Sequence, residues 1–100
     1  MDGKEYAQAS LVRALQSNTT PNMRAVLLGL KPDGLFIRFV LHLAPDIGDS
    51  DSIGIITTEV MADYDHIIIE HDTLVDSNSL VPVLVDGMQG LDLVVVYGGI

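Results

Sequence analysis

Two apolar runs on either side of Pro32-Asp33-Gly34 constrain this chain more than any other feature. In the second run the residues alternate. Leu35, Ile37, Phe39, Leu41 and Leu43 point one way, and Phe36, Arg38, Val40 and His42 the other. A period of two marks a strand with one face in a core. Met23–Lys31 is the first run, and the short Pro-Asp-Gly connection joins the two as a hairpin. Because the second face is half polar, the sheet is expected to carry helices on one side only.

The rest of the chain is read against that hairpin. Residues 3–17 place Tyr6, Ala7, Leu11, Ala14 and Leu15 at helical spacing, with Asp2 as N-cap and Glu5 completing a capping box. Asn18-Thr19-Thr20-Pro21-Asn22 stops that helix. Ala44–Ser50 reads as a loop, and Asp51–Asp63 as a second helix with the stripe Ile53, Ile56, Val60 and Tyr64. The β-branched residues there also fit a strand through Ile53–Thr57. His66–Leu74 and Leu91–Tyr97 are two further strands. Leu80–Val85 is an edge strand or an extended loop, because Pro82 is tolerated only at an edge, and Gly87–Gly90 is a turn. The expectation is an α+β chain in the order α-β-β-α-β-β, forming one domain over residues 1–100. Its two helices would pack on one face of a four-stranded, mostly antiparallel sheet.

Charge narrows the partners. The last basic residue is Arg38, and the following 62 residues hold 11 carboxylates and no Lys or Arg. The net charge is -9. Five dispersed basic residues cannot make a phosphate-binding surface, so neither nucleic acid nor an anionic membrane is an expected ligand. A field of one sign steers cationic partners instead. No run is long and apolar enough for a membrane span, and the acidic start MDGKEYAQAS lacks the basic end and apolar stretch of a secretory signal. The expected location is the cytoplasm. Absence of cysteine excludes disulfides and thiolate metal sites.

Catalytic signatures are missing. None of the serines lies in a G-x-S-x-G turn, and no glycine-rich nucleotide motif opens a helix. Asp63, Asp65, His66, Glu70, His71 and Asp72 form the best metal-ligand cluster, but adjacent strand residues diverge, and an H-x-E or H-E-x-x-H spacing is lacking. The stretch from Asp49 partly mimics a calcium loop, with Ile53 in place of a ligand and Val60 at the closing position. Loop and helix cap is the simpler reading. No cofactor and no enzymatic activity are expected.

Two segments carry a resemblance. Ala14-Leu15-Gln16-Ser17-Asn18-Thr19-Thr20-Pro21-Asn22-Met23-Arg24-Ala25-Val26 and Thr58-Glu59-Val60-Met61-Ala62-Asp63-Tyr64 resemble a family of short bacterial proteins. Those proteins carry "ALxGxxTPNLRAV" and, after a hairpin, "ATEVIADF". Some act as immunity proteins of contact-dependent or other polymorphic toxin systems. The resemblance covers roughly residues 10–75. Family members tend to end in an aromatic and basic strand, whereas this chain ends Val94-Val95-Val96-Tyr97-Gly98-Gly99-Ile100. Within the first segment, Thr20 and Asn22 are expected to bond local backbone at the helix-to-strand corner, and Arg24 to pair with Glu59 or Asp63.

The resemblance and the charge together imply an immunity protein that neutralises the C-terminal domain of a cognate, cationic, nuclease-like toxin. The residues expected to meet that partner are Asp46, Ile47, Asp49, Asp51, Asp63, Asp65, Glu70 and Asp72, with Phe36 and Val40 adding apolar contacts. Two readings from other classes stand beside it. One is an oligomeric adaptor, such as a homodimer through the flat Leu91–Tyr97 strand. The other is a metal-dependent hydrolase using the Asp63–Asp72 cluster.

Overall fold

The hairpin forms as its alternation dictates. A computed structural model describes residues 3–64, 67–75 and 92–98. In it β1 (Met23–Lys31) runs antiparallel to β2 (Gly34–Leu41), turning at Pro32 and Asp33. Val26 and Leu28 of β1 join Leu35, Ile37, Phe39 and Leu41 of β2 on one face, all buried. A β-bulge at Arg24 resets the phase of β1, so Met23 shares that face although Ala25 takes the other.

Two helices cover this face. Helix α1 (Gly3–Leu15) contributes Ala7, Leu11, Ala14 and Leu15, and α2 (Ile47–Ala62) contributes Ile53, Ile56 and Val60. Asn18 ends α1 by donating from Nδ2 to the Ala14 carbonyl at 2.8 Å, satisfying an acceptor the last turn leaves open. Asp2 lies outside the described residues. The other face of the sheet holds a smaller cluster of Ala25, Leu27 and Val40, with Phe36 and Leu74 packed against it.

Helix α2 begins four residues earlier than the sequence suggested. Asp46 is the N-cap. Its side chain accepts from the Asp49 N–H at 2.8 Å, and Asp49 accepts in return from the Asp46 N–H at 3.1 Å. This reciprocal box satisfies two orphan donors, so helix replaces the expected loop through Ile47–Ser50. Tyr64 lies beyond the helix, its ring edge-on to Tyr6 with centroids 5.2 Å apart.

The expected four-stranded, mostly antiparallel sheet is corrected by the strand that follows α2. β3 (Ile68–Val75) pairs parallel to β2, from Gly34 opposite Ile68 to Leu41 opposite Val75. β1, β2 and β3 therefore form a mixed sheet, with one antiparallel and one parallel pairing. The physical reason is the helix between them. A crossover through α2 returns the chain to the end from which β2 started, and a strand entered from there must run parallel. β4 (Asp92–Gly98) lies antiparallel beside β1, giving the order β3-β2-β1-β4. The expected features at Leu80–Val85 and Gly87–Gly90 lie outside the described residues. No helix among the described residues is long and apolar enough to cross a membrane.

Gly34 is fixed by this pairing. A Cβ there would stand 2.0 Å from the Ile68 carbonyl oxygen and 3.0 Å from its carbon. The glycine of the Pro-Asp-Gly connection is needed for close backbone approach between parallel strands, whereas Pro32 and Asp33 make the turn itself.

Candidate functional site

The structure separates carboxylates that hold the fold from those that face outward. Asp49 belongs to the first group. It is 4% exposed and sits where the Thr20-Pro21-Asn22 corner meets the start of α2. Thr20 Oγ1 donates to Asp49 Oδ1 at 2.6 Å, and Asn22 Nδ2 donates to Oδ2 at 2.8 Å. Asn22 also clamps Leu43: its Nδ2 donates to the Leu43 carbonyl and its Oδ1 accepts the Leu43 N–H, both at 2.9 Å. The Thr-Pro-Asn segment is thus scaffold, as the sequence reading held. Its bonds reach a segment twenty or more residues away rather than only local backbone.

Asp63 is held in the same way at the other end of α2. Ser10 Oγ and Arg13 Nη2, both from α1, donate to Asp63 Oδ2 at 2.5 and 2.8 Å, and Tyr6 donates its hydroxyl to the Asp63 carbonyl at 2.8 Å. Arg13 thus forms an ion pair with Asp63, and Asn18 Nδ2 donates to Glu59 at 3.4 Å.

The sheet-face carboxylates are also engaged. Lys31 Nζ donates to Glu70 at 2.6 Å. Arg38, nearly buried, donates from Nε and Nη2 to the two Asp72 oxygens at 2.9 and 2.8 Å, with its guanidinium over the Phe36 ring. This fork geometry is the strong form of an ion pair. Val40 is fully buried and cannot meet a partner. Asp65 and His66 lie outside the described residues. Among the described residues no three His, Asp or Glu side chains are arranged to hold a metal ion.

Exposed positions gather instead along the outer side of α2. Ile47 is 81% exposed, Asp51 projects outward, and Ile55 is 47% exposed. Ile47, Asp51, Ile55 and Glu59 recur every four residues and so share one helical stripe. Beside it Ser50, Asp51, Gly54, Ile55, Thr58 and Glu59 line a shallow, open depression. The sequence reading named Ile47 and Asp51 for the partner and offered Glu59 to Arg24, and it left Ile55 out. The four-residue spacing was there to be read, and masking it were the β-branched residues that left helix and strand both open over Ile53–Thr57.

Acid titration should separate the two groups of carboxylates. Hydrogen bonds from Thr20 first, then Asn22 and the Asp46 N–H, hold the Asp49 carboxyl below its ordinary 3.8 despite burial. Ser10 and then Arg13 do the same for Asp63. A group depressed on folding binds its proton more readily in the unfolded chain, so its contribution is full above the ordinary value and lost as pH falls through the folded one. The protein is expected to lose melting temperature as pH drops below about 4. Asp49→Asn should be less stable at pH 7 and lose less on acidification. An unchanged acid slope in thermal melts of that variant would remove Asp49 from this role.

The family model described as MafI2 immunity protein matches residues 5–90. That match runs past residue 75, where the sequence resemblance stopped, and includes both the Thr-Pro-Asn corner and α2. No curated protein matches the chain.

Proposed function

The chain belongs to the MafI2 immunity protein family, and from that premise we propose that it neutralises a cognate toxin by binding its C-terminal domain through an acidic surface. The family match is the observation that carries this reading. The chemistry of the toxin follows from charge. A net charge of -9 favours a basic partner. Arg13, Lys31 and Arg38 are already engaged in ion pairs within the fold. A toxin that acts on nucleic acid needs a basic cleft for phosphate, and such a cleft is what this chain would complement. Neutralisation then requires rapid capture and tight occlusion, with no chemistry by the immunity protein.

Association kinetics test the charge argument. With the C-terminal domain encoded immediately upstream as the probe, the association rate should fall by about tenfold or more between 0.05 and 0.5 M salt, because steering is screened. Binding whose rate ignores salt would contradict an electrostatic partner. Absence of binding would contradict the toxin-binding role itself.

A further inference from the structure

We propose that the outer face of α2 is the docking surface for that toxin, and that the depression over Gly54 receives an apolar side chain flanked by Lys or Arg. This rests on the immunity reading above.

Three observations converge on this face. Ile47 and Ile55 are large, exposed and on the same stripe, with Asp51 and Glu59 between and beyond them. Apolar contacts ringed by charge are what a protein interface needs. Next, nothing among the described residues requires glycine at position 54. It lies in the middle of a sixteen-residue helix, is exposed, and a Cβ there would meet nothing within 4 Å among the described residues. Alanine would favour the helix more. A local rule broken without a packing return points to function, and a missing side chain lets a partner approach the helix closely.

Finally, charge selects the occupant. The helix carries Asp49, Asp51 and Glu59 and no Lys or Arg, and Asp49 is spent inside the fold. Two copies of this face would oppose like charges, so a second copy of the chain is disfavoured. A cationic partner would pair with Asp51 and Glu59 while its apolar side chain fills the depression between Ile55 and Ser50.

The test compares three variants in binding to the upstream-encoded C-terminal domain. Gly54→Lys fills the depression with a strong helix former of the partner's own charge. It should fold with a melting temperature no lower than the wild type and raise Kd by about tenfold or more. Asp51→Asn combined with Glu59→Gln should slow association. Thr73→Lys, exposed on β3, adds the same charge away from α2 and should bind within about twofold of wild type. If wild type binds and a folded Gly54→Lys binds equally well, the docking assignment is wrong while the immunity reading stands. Loss of binding in Thr73→Lys with none in Gly54→Lys would also overturn it, in favour of the β3 side. If wild type itself fails to bind, the underlying reading fails and this proposal with it.

Discussion

Gly34→Ala is expected to destabilise the protein by about 3 kcal/mol, a large effect for a single methyl group. The methyl carbon would begin 2.0 Å from the Ile68 carbonyl oxygen, and backbone cannot rotate away as a side chain would. To reach ordinary contact the strands must part by more than 1 Å at the first rung of the parallel pair. The bond from the Ile68 N–H to the Asp33 carbonyl, already 3.4 Å long, would go with it. For a chain of this size such a loss lowers the melting temperature by roughly 12–24 °C. Amide exchange should localise the damage to β3, with β1 protected through its other pairings. Gly54→Ala supplies the contrast. The same methyl meets nothing on α2, and there it should stabilise the protein by about 0.5–1 kcal/mol. Equal effects at the two positions would show that the β2–β3 approach is not as close as described.

The second large effect is expected at Asn22. Its amide makes three bonds, two to the Leu43 backbone and one to Asp49. Asn22→Ala removes all three, at about 1 kcal/mol each, and should cost about 2–3 kcal/mol in denaturant unfolding. Leucine at this position would test shape against hydrogen bonding, since it fills similar volume and restores no bond. The consequence reaches the proposed surface. Leu43 leads directly into the Asp46 cap and Ile47, so loosening this corner frees the first turn of α2. Toxin affinity should fall in Asn22→Ala by less than in Gly54→Lys, because the corner positions the surface without touching the partner. Near wild-type stability in Asn22→Ala would mean that the corner carries little of the fold.

These two positions also show what the sequence could and could not convey. Local patterns were legible. The alternation of Leu35 to Leu41 gave β2 its core face, and Met23–Lys31 emerged as β1 at the residues expected. The stripe Ile53, Ile56 and Val60 gave α2 its buried side. Pairing direction was harder. The helix between β2 and β3 was in view, but each element was read singly, and the parallel crossover follows only when they are connected. The start of α2 was misplaced for a similar reason. Asp46 and Asp49 stand at capping-box spacing, yet four acidic and hydroxyl residues from Asp49 to Ser52 drew attention to the later position.

Site residues were legible only as far as their partners were close in sequence. Asp49 and Asp63 looked like surface charge. Their side-chain donors lie 27 to 53 residues away, on α1 and in the corner before β1, where no local pattern exposes them. Glu70 and Asp72 carry ion pairs to Lys31 and Arg38 respectively, partners on β1 and β2 that their own stretch of sequence does not reveal. The docking stripe proposed on α2 includes Ile47 and Asp51, which the sequence reading also named for a partner.

The measurement that bears most directly on this account is co-expression of the chain with the C-terminal domain encoded immediately upstream, followed by co-purification from the surviving cells. The account predicts that growth arrested by the domain alone is restored, and that the two proteins leave the column as a stoichiometric complex that high salt loosens. Persistent arrest alongside a folded immunity protein, or protection without any complex, would contradict neutralisation by direct binding.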